Sequence, residues 1–146
     1  IIHSRTEEMT LAAIEHPLTM IASDGFVEDG KGHPRTSGTN AKVLGQYARE
    51  QGIMTLMDAL RRMTIAPARR LETYVPAMKN KGRIAVGADA DITIFDANTV
   101  VDRSTYIEPT LSPEGIPYVL VNGVMVVNKG ELVPGVRPGK AIRVME

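Results

Sequence analysis

The sequence predicts an α/β chain with a helix-rich first half that carries one buried strand, followed by a second half built of β-strands. Three observations lead to this prediction. Apolar residues recur with helical spacing up to about residue 71, and short β-branched runs replace them after about residue 80. A short apolar run, residues 18–23, lies between Pro17 and Asp24-Gly25 and reads as a buried strand. The change from helices to strands falls near residues 76–82.

The first helix and the segment after the strand are predicted from local signals. Ser4 and Glu7 have the spacing of a capping box, and the apolar pattern behind them predicts a helix over residues 5–15. Residues 25–38 contain four glycines and a proline, which are too many breakers for a regular element. We therefore expect a long loop there, and long loops are often functional.

Two further helices follow this loop. The second is predicted to begin at Thr39 or Asn40 and to end at Gly52, a typical C-terminal stop. The third is predicted to begin at Thr55 and to end or restart at Pro67, because proline removes a backbone donor. Four basic side chains are expected on its solvated side: Arg61, Arg62, Arg69 and Arg70.

The second half is predicted to form short strands. The β-branched runs cover residues 84–86, 91–95, 118–121 and 124–127. Asn122-Gly123, between the last two, is a strong signal for a hairpin with a type I′ turn.

Composition excludes several classes of function. The 146 residues include no cysteine, so disulfides are impossible, and 17 basic side chains balance 17 acidic ones. This balance favours neither nucleic acid nor an anionic membrane as a partner. Apolar runs stay well below the ~20 residues that cross a bilayer, and the N-terminus lacks a signal-peptide pattern. We therefore expect a cytoplasmic protein.

Three polar residues around the predicted loop are candidates for chemistry. Asp24 follows the buried strand and precedes a loop and a helix, which is where α/β barrels build active sites, although Asp-Gly is also a common turn. His33 and Arg35 flank Pro34, and the planar guanidinium of Arg35 suits a carboxylate. The alternative is that these two residues are solvated side chains on a surface loop with no functional role.

Two other site types are disfavoured. Residues 25–32 approach the spacing of a phosphate-binding loop, but Gly32 stands where a Ser or Thr would hold magnesium. The three histidines are 13 and 17 residues apart, so this chain alone does not supply an ordinary zinc site: His3, His16 and His33.

Two passages of the second half, and a pair of motifs in the first, resemble a known superfamily. Residues 81–96, KGRIAVGADADITIFD, and residues 119–130, VLVNGVMVVNKG, resemble the chain end of amidohydrolase-superfamily enzymes. Ser-Asp-Gly at residues 23–25 followed by His-Pro-Arg at residues 33–35 is similar to the N-acyl-D-amino-acid deacylase, or D-aminoacylase, branch.

The resemblance implies a specific architecture. Residues 1–80 would be the last strand and helices of a metal-dependent (β/α)₈ TIM barrel, and residues 81–146 the C-terminal part of a small β-sandwich. Such a barrel needs roughly 250 residues, and the metal-binding histidines of these enzymes lie on earlier strands. The chain alone is therefore expected to be inactive, with an N-terminal part missing or supplied by another polypeptide.

The resemblance also implies an activity and roles for the candidate residues. The expected reaction is metal-dependent hydrolysis of a non-peptide C–N bond in an N-acyl-D-amino acid, with zinc held mostly by ligands outside this chain. Asp24 corresponds to the catalytic aspartate, which lies at the metal and moves a proton from the attacking water to the departing nitrogen. Arg35 matches the arginine that binds the substrate α-carboxylate, while His33 would position the loop or a substrate group.

Two alternatives remain open. The late β passages are shared with cyclic-amide hydrolases of the dihydroorotase or hydantoinase kind. A non-catalytic folding or oligomerisation module would keep the shape without the metal, and a homo-oligomer would then cover its apolar faces.

Overall fold

The computed structural model describes residues 6–143. Within that range, no helix is long and apolar enough to cross a membrane. The helical elements are α1 (Glu7–Glu15), α2 (Arg35–Lys42), a π-helical continuation of α2 (Val43–Glu50), α3 (Leu56–Met63), α4 (Ile65–Leu71) and a 3₁₀ helix (Pro76–Asn80). The strands are β1 (Val27–Glu28), β2 (Lys31–Gly32), β3 (Ile92–Ile94), β4 (Tyr118–Val121), β5 (Val124–Asn128) and β6 (Glu131–Leu132).

Several helix ends lie where local chemistry predicts them. Thr55 caps α3, since its Oγ1 accepts a hydrogen bond from the Asp58 backbone N–H at 3.1 Å. Gly52 has a φ of +64° just after the π-helical segment, which confirms it as the stop. Helix α1 is capped by Thr6, whose Oγ1 accepts from the N–H of Met9. The predicted cap at Ser4 lies outside the described residues.

The expected long loop is partly wrong, because residues 25–38 contain regular structure. Strands β1 and β2 form a small antiparallel hairpin. Helix α2 then begins at Arg35, four residues before the expected cap. Gly38 is tolerated inside this helix because the Asp102 carboxylate occupies the space that a Cβ atom would need.

Residues 18–23 do not form the expected strand. Leu18 lies in a turn, the following residues have no regular structure, and the described part of the chain offers them no strand to pair with. Outside the local turn, a backbone hydrogen bond joins the Ile21 N–H to the carbonyl oxygen of Arg62 at 3.2 Å. Leu18 is 81% exposed rather than buried. A strand needs a neighbouring ladder, so this prediction fails for a physical reason that lies outside the local sequence.

Strands β3, β4, β5 and β6 form one antiparallel sheet in that order. Asn122 and Gly123 have φ values of +48° and +77°, which confirms the type I′ hairpin between β4 and β5. The strand expected at residues 84–86 is wrong. Ile84 and Val86 are almost fully exposed, and Gly87 turns the chain with a φ of +86° before any ladder forms.

The core lies among the helices, and the described part of the second half adds the buried Val100, with Phe95 and Ile116 packed against the core at partial burial. Val100 is fully buried there, and the backbone passes so close to Gly45 that a Cβ atom at that glycine would lie 2.5 Å from the carbonyl oxygen of Val100. Arg49 Nη1 donates to the same oxygen at 2.7 Å. The division into residues 1–80 and 81–146 stays a prediction, and these contacts cross it.

The prediction that Arg62 lies on the solvated side of its helix is wrong. Its side chain is buried, and its Nη1 donates to the carbonyl oxygens of Ile14 at 2.7 Å and His16 at 2.8 Å. Its Nε donates to Asp58 Oδ2 at 2.6 Å. Burial disfavours ionised Asp58, but hydrogen bonds from Arg61 and Arg62 outweigh this effect and lower the pKa of its carboxyl. Arg62 thus fastens the end of α1 to α3, immediately before residues 18–23.

Candidate functional site

Asp24 stands at a backbone position that few residues adopt. Its φ is +47°, in the left-handed region, and its side chain is 91% exposed. Gly25 packs directly on the first turn of α2, since a Cβ atom there would lie 2.8 Å from the Cα of Thr36. The Asp24-Gly25 turn is therefore held against the start of α2, with the carboxylate of Asp24 facing solvent.

Arg35, the first residue of α2, reaches this carboxylate. Its Nη2 lies 3.3 Å from Asp24 Oδ2, and the Arg35 side chain is 47% exposed. An ion pair this exposed is worth only about 0–1 kcal/mol. The structure thus brings together two of the three predicted site residues, in a pair weak enough to be exchanged for a ligand carboxylate.

His33 lies behind this pair and contacts the backbone of Arg35. Its Nδ1 accepts a hydrogen bond from the Arg35 N–H at 3.1 Å. On the other side of the ring, Nε2 lies 3.3 Å from the hydroxyl of Tyr106. The His33 and Tyr106 rings meet edge to face, with centroids 5.1 Å apart. His33 therefore connects Arg35 to the second half of the chain.

The segment that carries Tyr106 is anchored to the start of α2. Ser104 Oγ lies 2.9 Å from the carbonyl oxygen of Pro34 and 2.7 Å from Asp102 Oδ1. The carboxylate of Asp102 packs on Gly38, one turn further along α2. Sequence reasoning missed Tyr106, and nothing local could have revealed it, because 73 residues separate it from His33.

A cavity of about 480 Å³ opens beside these residues. This volume is within the range of small-molecule sites. Its polar lining comes from Lys31, His33, Arg35 and Tyr106, and its apolar walls include Phe26. Two cations with no carboxylate among the lining residues favour an anionic organic ligand.

Asp24 is one candidate metal ligand, and the described residues do not complete a site around it. Among residues 6–143, no three His, Cys, Asp or Glu side chains are grouped so that they could hold a metal ion. An exposed carboxylate can serve as one oxygen ligand to zinc, but a zinc site needs three or four protein ligands. The residues present therefore fit a metal only if other ligands come from outside this chain.

A profile of the amidohydrolase family matches residues 7–127. The match covers most of the chain, which therefore belongs to the amidohydrolase family. The superfamily resemblance drawn from residues 81–96 and 119–130 is confirmed.

Individual relatives narrow this result to one branch of the family. The chain is 44% identical over 129 residues to an N-acyl-D-glutamate deacylase of Alcaligenes xylosoxydans xylosoxydans, covering 88% of this chain and 25% of the relative. It is 41% identical over 108 residues to a D-aminoacylase of the same organism, covering 74% of this chain and 21% of that protein. The predicted resemblance to this deacylase branch is confirmed.

Solved structures give the same result for the fold. A crystal structure of N-acyl-D-glutamate deacylase from Bordetella bronchiseptica, complexed with zinc and a phosphonate inhibitor, superimposes with a TM-score of 0.83 at 40% identity. It covers 95% of this chain, which in turn covers 28% of that structure. The chain has the fold of part of these amidohydrolases and spans about a quarter of the length of the relatives above.

Proposed function

We propose that this chain supplies one side of the active site of a metal-dependent hydrolase that removes the acyl group from N-acyl-D-amino acids. The observation that carries the proposal is the Asp24–Arg35 pair at 3.3 Å, in a chain of the amidohydrolase family. In this proposal residues 1–80 belong to a (β/α)₈ barrel, with residues 18–23 as its last strand once neighbouring strands are present. Residues 81–146 belong to the adjoining β-sandwich.

Asp24 is the proton carrier in this proposal. Its carboxylate is exposed and stands at the turn before the β1–β2 hairpin, so both water and a substrate amide can approach it. It takes a proton from the water that attacks the amide carbonyl and delivers that proton to the leaving nitrogen as the C–N bond breaks. When bound, a divalent metal such as zinc polarises the carbonyl and lowers the pKa of the water.

Arg35 binds the substrate α-carboxylate. The guanidinium fork accommodates a carboxylate with two parallel hydrogen bonds, and the weak exposed pair with Asp24 costs little to exchange. Exchange also leaves the Asp24 carboxylate unpaired beside the reacting amide. Binding of the correct substrate would therefore release the proton carrier from its ion pair.

A linear amide is favoured over a cyclic one. The relatives described above are named for the deacylation of N-acyl-D-glutamate or for D-aminoacylase activity. The free α-carboxylate of an N-acyl amino acid also gives Arg35 a partner at the exposed end of the site.

Arg35→Ala, made in the zinc-loaded holoenzyme that contains this chain, tests the carboxylate role. We expect the KM for an N-acyl-D-amino acid to rise about tenfold to a hundredfold, because a charge-assisted hydrogen-bond pair is lost. The KM for the corresponding α-carboxamide should change little. Steady-state kinetics on the two substrates measure the difference.

Arg61→Ala is the matched control, because Arg61 is also 47% exposed and also pairs with an aspartate. It should leave both KM values unchanged. If Arg35→Ala raises the KM for the carboxylate and for the carboxamide substrate equally, Arg35 does not bind the α-carboxylate.

A further inference from the structure

Tyr106 is joined to Arg35 through both side-chain and backbone contacts. Its hydroxyl lies 3.3 Å from His33 Nε2, and His33 Nδ1 accepts the Arg35 N–H at 3.1 Å. Because Nδ1 is an acceptor, a neutral His33 carries its proton on Nε2 and donates it to the Tyr106 oxygen. The two contacts therefore select one tautomer of the imidazole, with each ring nitrogen committed to a defined partner.

The backbone that bears Tyr106 is itself held in place. Thr105 and Glu108 close a turn around it, with the Glu108 N–H donating to Thr105 Oγ1 at 2.9 Å and the Thr105 N–H donating to the Glu108 carbonyl oxygen at 3.2 Å. Ser104 contacts the carbonyl oxygen of Pro34, the residue between His33 and Arg35. The segment around Tyr106 thus contacts the His-Pro-Arg motif at two points, the imidazole ring of His33 and the carbonyl oxygen of Pro34.

We infer that Tyr106 is a positioning residue that, through His33, sets where Arg35 presents its guanidinium to the substrate carboxylate. The inference rests on the proposed function for its kinetic consequence, but the Tyr106–His33–Arg35 connection is a property of this chain alone. Tyr106 also lines the same cavity as Arg35. Specificity for carboxylate-bearing substrates would then depend on a residue from the second half of the chain.

The connection is tested first in the chain itself. Nuclear magnetic resonance of the ¹⁵N-labelled protein, at a pH where the imidazoles are neutral, should show His33 as the Nε2–H tautomer. Tyr106→Phe removes the hydroxyl and keeps the ring, and it should shift the His33 ring nitrogens and the backbone amide of Arg35. Tyr74→Phe is the matched control at an exposed tyrosine and should shift neither. Unchanged His33 and Arg35 resonances in Tyr106→Phe would overturn the inference.

The functional consequence is tested in the zinc-loaded holoenzyme that contains this chain. Tyr106→Phe should raise the KM for an N-acyl-D-amino acid about fivefold, the effect of one lost hydrogen bond, with kcat within roughly twofold of the wild-type value. Tyr106→Leu should raise the KM further, because the edge-to-face ring contact is lost as well. The KM for the α-carboxamide substrate should be the same in both variants as in the wild type.

Two kinetic outcomes would contradict the inference. One is an equal rise in the KM for the carboxylate and carboxamide substrates, which indicates a general structural role. The other is a fall in kcat with an unchanged KM. A holoenzyme that hydrolyses neither substrate overturns the proposed function instead, and the resonance shifts of His33 and Arg35 then decide the positioning role by themselves.

Discussion

Asp24→Asn is expected to lower the kcat of the zinc-loaded holoenzyme about 10²–10⁴-fold, the usual contribution of a general acid–base group. Asparagine keeps the shape of the side chain and tolerates the left-handed φ of +47°, so the turn at Gly25 should survive. The amide nitrogen neither accepts the water proton nor returns it to the leaving nitrogen. Single-turnover kinetics on an N-acyl-D-amino acid measure the loss directly.

Asp29→Asn is a matched control for this substitution. Asp29 lies in the β1–β2 hairpin with a φ of +48° and is also exposed. Its substitution therefore removes the same charge at a residue with the same left-handed backbone conformation. The kcat of the Asp29→Asn holoenzyme should stay within roughly twofold of the wild-type value. If the two variants lose the same activity, the effect comes from local charge, and Asp24 is not the proton carrier.

Arg62→Met is expected to lower the free energy of unfolding of the chain by about 3 kcal/mol. Methionine fills much of the volume but donates no hydrogen bond, so the Ile14 carbonyl oxygen and one oxygen of Asp58 each lose the donor that Arg62 supplies. The His16 carbonyl oxygen loses one of two donors and keeps the Thr19 N–H at 3.0 Å. The Ile14 contact is buried, which makes an unsatisfied acceptor there expensive. Urea unfolding followed by circular dichroism measures the change.

The neighbouring Arg61→Met provides the comparison for Arg62→Met. Arg61 pairs with the same aspartate, but its side chain is 47% exposed, so its removal should cost less than about 1 kcal/mol. A similar small loss in both variants would show that the buried guanidinium does not fasten α1 to α3. It would also remove the physical account of how residues 18–23 are placed before Asp24.

Local chemistry was enough to predict the elements whose ends depend on one or two residues. Asn122-Gly123 forms its predicted hairpin because both residues adopt a positive φ. Thr55 and Gly52 begin and end helices because a hydroxyl cap and a left-handed glycine act over three or four residues. Each of these signals is complete within the sequence window where it is read.

The features that sequence reasoning missed depend on residues far apart in the chain. The local sequence indicates a solvated Arg62, but its guanidinium donates to the carbonyl oxygens of Ile14 and His16, which are 48 and 46 residues away. Gly38 counts as a helix breaker in the local sequence, but it lies inside α2 with the Asp102 carboxylate packed against it. Residues 18–23 have the composition of a buried strand, but a strand is defined by its neighbours, and the described residues supply none.

The candidate site was predictable in its composition and not in its connections. Asp24 and Arg35 were found from their motifs, and the structure brings them to 3.3 Å. Tyr106 carried no local signal, because its importance comes from meeting His33 across 73 residues. The catalytic and binding roles of these residues stay predictions that the substitutions above test.

The most direct test of the central claim is hydrolysis by the zinc-loaded holoenzyme that contains this chain. The release of free glutamate would be measured from N-acetyl-D-glutamate and N-acetyl-L-glutamate, and ring opening to the N-carbamoyl amino acid would be measured from a cyclic amide such as hydantoin, each with and without a metal chelator. We expect metal-dependent release from the D-substrate, little from its L-enantiomer, and no ring opening of the cyclic amide. Ring opening in preference to deacylation, or deacylation that survives complete removal of the metal, would contradict it.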